Sequence, residues 1–91
     1  MEMLSQTVNS PIVRIPGRAF PGVVIQGDSL RILYDLAEEI LEYLKKGELP
    51  ELEGATTELK ELLTGYLLNY EAVLKQHKLA LPYTRSIGNS A

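Results

Sequence analysis

Val23-Val24-Ile25-Gln26-Gly27-Asp28-Ser29-Leu30-Arg31-Ile32-Leu33 contains the one change of character in the chain. Up to Gln26 it reads as a strand, because three consecutive β-branched side chains suit a pleated, half-buried surface. From Asp28 onward the apolar residues recur at helical spacing, and Asp28 or Ser29 is the expected N-cap. Towards the N-terminus the punctuation is that of short strands. Phe20-Pro21-Gly22 is a turn cluster, Ile12 to Ile15 is a strand ended by Pro16-Gly17, and Asn9-Ser10-Pro11 is another turn. Residues 2–8 read weakly as a further strand. Short strands joined by tight turns pair antiparallel, so a meander of two or three strands is expected.

Towards the C-terminus, Leu30, Leu33, Ala37, Ile40, Leu41 and Leu44 form the apolar stripe of a first helix. Lys45-Lys46-Gly47 should stop it, with cations at its negative end and a glycine free to turn left-handed. Glu48 to Gly54 reads as an acidic connector, and Thr56 or Thr57 as the cap of a second helix. That helix carries Leu59, Leu62, Leu63, Tyr66, Leu67, Tyr70, Val73 and Leu74 and ends near His77-Lys78. Gly65 within it either admits another backbone or is a tolerated surface glycine. Leu79 to Tyr83 is expected to pack back on the domain. The fold class is therefore α+β: a short antiparallel β-meander followed by an antiparallel two-helix hairpin. Residues 1–83 are expected to form a single domain, and 84–91 a flexible C-terminal tail. Leu36, Tyr43 and Leu68 lie off the main stripes, so leftover apolar surface points to a homo-oligomer.

Composition removes several function classes. The 91 residues include no cysteine, which excludes disulfides and thiolate chemistry and fits a cytoplasmic setting. The acidic N-terminus is unlike a signal peptide, and no apolar run of membrane-spanning length occurs. Nine Lys+Arg against twelve Asp+Glu give a net charge of −3, a poor match to extended nucleic acid. His77 is the one histidine, and its place near a helix end is a structural one, so no metal centre, cofactor or catalytic residue is expected. Gly27-Asp28-Ser29-Leu30 spells the signature of a lipase and esterase family, but that fold is far larger and its serine needs a base. The chain is not expected to be an enzyme.

Arg14 to Ser29 is the candidate site. It gathers Arg14, Arg18, Phe20, Gln26, Asp28 and Ser29 around two Pro-Gly pairs and a helix start. Arginine presents a planar fork suited to phosphate or carboxylate, and helix N-termini attract anions. Asp28 opposes an anion there, unless it pairs with Arg14 or Arg18. The alternative is that the Pro-Gly pairs only turn the chain and Phe20 fills the core.

Four stretches carry a resemblance: Leu4 to Asn9; Val13 to Leu30, with its Arg14-Ile15-Pro16-Gly17-Arg18, Phe20-Pro21-Gly22 and Gln26-Gly27-Asp28-Ser29-Leu30 runs; Asn69 to Leu74; and Leu81-Pro82-Tyr83. In these the chain resembles a family of small bacterial proteins of unknown function, and the resemblance implies a shared fold. Two functions stay open. One is non-catalytic binding of an anionic small molecule at a subunit interface, such as a phage or bacterial protein that sequesters a nucleotide signal. The other is a protein-interaction module, such as an immunity protein or antitoxin, that meets a basic partner through Glu48-Leu49-Pro50-Glu51-Leu52-Glu53.

Overall fold

Ile12 and Val13 are consecutive β-branched residues, and both are buried. In the computed structural model, which describes residues 2–4 and 11–87, they belong to the central strand of the sheet. The elements run β1 (Glu2–Met3), β2 (Ile12–Arg14), β3 (Gly22–Val23), α1 (Gly27–Lys46) and α2 (Leu49–Gln76). The sheet has the order β1-β2-β3 and is antiparallel throughout, with Glu2 opposite Arg14 and Ile12 opposite Val23. This is the expected meander followed by a helical hairpin, an α+β fold. The ladder reaches past the strands, since Leu4 N–H donates to Ile12 O and Val24 N–H to Pro11 O. Expectations for residues 5–8, the Asn9-Ser10 turn and the last four residues of the tail lie outside the described residues.

The chain divides into two compact units: Met1–Ile25 with Thr64–Ala91, and Gln26–Leu63. In the first, Ile12 and Leu74 are wholly buried and cluster with Tyr70 and Val73. Leu4, Leu79, Leu81 and Tyr83 pack around them, so the segment after α2 folds back as expected. The chain leaves α2 through Lys78, a non-glycine residue at φ 56°. Lys78 N–H donates to Lys75 O and Leu79 N–H to Leu74 O, closing the helix end in a Schellman arrangement.

In the second unit, α1 ends as the sequence predicts. Gly47 is left-handed at φ 71°, with its N–H on Leu44 O and that of Glu48 on Tyr43 O. The start of α1 differs. Gln26, in extended conformation and without a side-chain bond, is the N-cap, and Asp28 sits in the first turn. A carboxylate is favourable there too, against the unpaired N–H groups of the helix start. The acidic connector also differs: α2 begins at Leu49, so Glu51, Glu53 and Gly54 are helical. Pro50 does not break the helix because first-turn N–H groups lack intrahelical acceptors in any case. The sheltered face of α1 is Leu33, Leu36, Ile40 and Tyr43, matched in α2 by Leu52, Ala55 and Leu59. Leu36 and Ala55 are buried.

Among the described residues, a Cβ added at Gly54 or Gly65 would meet nothing within 4 Å, so Gly65 is a tolerated surface glycine. Gly54→Ala and Gly65→Ala should therefore each stabilise the protein by about 1 kcal/mol, through backbone entropy alone. Urea midpoints measured for each variant check this, and no upward shift is the contrary result.

Candidate functional site

The loop between β2 and β3 is built on a tight turn. Arg18 N–H donates to Ile15 O at 3.1 Å, and Gly17 stands at φ 84°. Proline second and left-handed glycine third are the marks of a type II turn. It brings Arg14 and Arg18 to two hollows that share both arginines. One, of about 340 Å³, is lined by Glu2, Arg14, Ile15, Pro16, Gly17 and Arg18. The other, of about 290 Å³, includes Arg14, Arg18, Phe20, Pro21 and Leu79. The far side of the loop is tied down, because Tyr70 Oη donates to Pro21 O at 2.8 Å. Burial pushes the Tyr70 hydroxyl above its ordinary pKa, which keeps it a donor.

Arg14 has a loose cross-strand partner. Its Nη1 lies 3.8 Å from Glu2 Oε1, and both side chains are well exposed. Such a pair contributes little and yields readily to a better anion. Among the described residues, Arg18 has no carboxylate within ion-pair distance. Phe20 is half-exposed at the hollow and does not fill the core. Arg14, Arg18 and Phe20 are thus brought together in the first unit. Gln26, Asp28 and Ser29 belong to the second, at the start of α1. There the Asp28 carboxylate accepts the Ser29 N–H at 2.8 Å. His77 Nε2 lies 3.2 Å from Leu4 O, a structural contact between the end of α2 and the sheet.

Sequence reasoning did not single out Glu71. It is only 8% exposed. Tyr83 Oη donates to Oε2 at 2.8 Å, and Ile87 N–H donates to both carboxylate oxygens at 3.1 and 3.0 Å. Burial and then this hydrogen bond push the Tyr83 hydroxyl up to about 12. Glu71 also borders a groove of about 730 Å³ with Leu68, Ala72, Lys75, Leu79 and Leu81. The signal was available: Glu71 lies four residues after Leu67 and three before Leu74, so a charge falls on the apolar stripe.

Among the described residues, no group of three or more metal-ligating side chains comes together, and no helix is long and apolar enough to cross a membrane. No curated protein and no solved structure matches the chain. A family model described as "Family of unknown function (DUF6959)" matches residues 1–83, and the chain belongs to that family.

Proposed function

We propose that this is a non-catalytic binding protein that holds an anionic small molecule, of the nucleotide or phosphorylated-signal class, at Arg14 and Arg18. The observation that carries the reading is the sharing of two adjacent hollows by two arginines that flank one rigid turn. One arginine is loosely paired and the other has no carboxylate partner among the described residues. Guanidinium forks suit phosphate oxygens, and Phe20 at the rim offers an apolar face to a base or similar ring. The role that fits is sequestration of a signal in a bacterial or phage-infected cytoplasm, without turnover.

A thermal-shift screen against nucleotides and inorganic pyrophosphate, followed by calorimetry on any hit, tests this. Arg14→Ala/Arg18→Ala should abolish binding while changing stability by less than about 0.5 kcal/mol, since both side chains are at the surface. Affinity should fall with added salt. A well-folded sample that shifts with none of these anions would sink the reading.

A further inference from the structure

In the second unit, α1 carries an exposed apolar face that α2 does not shelter. Leu30, Tyr34, Leu41 and Leu44 are 50–59% exposed, and Ala37 between them is exposed as well. Their spacing of four, three, four and three is a heptad seam. It is distinct from the sheltered face at Leu33, Leu36, Ile40 and Tyr43. A contiguous apolar stripe of this kind is uncommon on a monomer and marks an interaction surface.

We propose that the occupant is a second copy of this chain, with the two α1 helices antiparallel about a twofold axis near Asp35 and Leu36. The residues beside the seam select this arrangement. The flank away from the hairpin carries Arg31, Glu38 and Lys45, alternating in sign. In one antiparallel register Leu30 meets Leu41 of the second copy and Tyr34 meets its Ala37. Large then faces small in the central layers, and Arg31 approaches the second copy's Glu38 twice by symmetry. Sliding the helices by one heptad sets Glu38 against Glu38 and Arg31 against Lys45. A parallel pair stacks Tyr34 on Tyr34 and Ala37 on Ala37, and its other flank offers only Leu33 and Ile40. Charge and size complementarity thus choose one geometry of three. Arg31 can turn to that partner, because its present contacts, the ion pair with Asp35 and a stack over the Tyr34 ring at 5.5 Å from the centroid, are exposed and lie on the same helix.

Sedimentation equilibrium on the full chain tests the proposal, with far-UV circular dichroism confirming the fold of each variant. The wild type should be a dimer at micromolar concentration. Ala37→Glu should make it monomeric. Arg31→Glu and Glu38→Arg should each weaken the dimer by roughly tenfold, and the double reversal should restore it, since both pairs are rebuilt with exchanged signs. A wild-type monomer, a dimer untouched by Ala37→Glu, or a double reversal no tighter than the single ones would overturn it.

Discussion

Leu74→Ala is expected to destabilise the protein by about 3 kcal/mol, the usual scale for emptying a closed leucine site. Leu74 is fully buried and clusters with Ile12, Tyr70 and Val73. A domain of this length has roughly 5–14 kcal/mol in total, so the loss is a large share. Leu49→Ala is the control. Leu49 is 66% exposed, and its truncation should stay within about 0.5 kcal/mol apart from any propensity change. Chemical denaturation of both variants decides the matter. Equal midpoints would mean that Leu74 does not centre the core.

Glu71→Ala should be next in size, at about 2–3 kcal/mol. It removes a buried acceptor from Tyr83 Oη and from Ile87 N–H, and leaves both donors short of partners. The segment after Tyr83 then loses its clasp. Trypsin should cleave after Arg85 much faster in Glu71→Ala than in the wild type, with Glu71→Gln between them because the amide oxygen still accepts. An unchanged cleavage rate would remove Glu71 from this role. The same contact sets an alkaline limit. Tyr83 ionises near 10 in the unfolded chain and at about 12 in the folded one. Its stabilising contribution is intact below pH 10 and disappears as the pH rises through 12. In an ultraviolet titration Tyr83 should ionise late, and earlier in Glu71→Ala, though burial alone still holds it above 10.

Much of this fold is legible in local chemistry. Ile12-Val13 announces the central strand, Pro16-Gly17 a turn, and Lys45-Lys46-Gly47 a helix end, because each depends on backbone preferences of a few neighbours. The start of α2 is not legible in the same way. Pro50 breaks a helix interior but is welcome in a first turn, and only the structure shows which applies. The stripe of α1 also misleads. Leu30, Leu33, Ala37, Ile40, Leu41 and Leu44 read as one face, yet they divide into a sheltered line and an exposed one only a single residue apart. Helical periodicity locates an apolar arc and does not say where within it the neighbour lies. At the candidate site, the pairing of Arg14 with Arg18 follows from the turn between them. The clasp at Glu71 depends on partners 12 and 16 residues away, a distance that local pattern does not span.

The Tyr70–Pro21 hydrogen bond has a thermodynamic consequence. It holds the arginine loop against the most buried part of α2, while the Ile15–Arg18 turn fixes the loop's other side. A loop held at both sides has little conformational freedom left to surrender when an anion arrives. The anion binding proposed above should therefore show a small heat-capacity change and an association rate set by diffusion and ionic strength, not by a folding step.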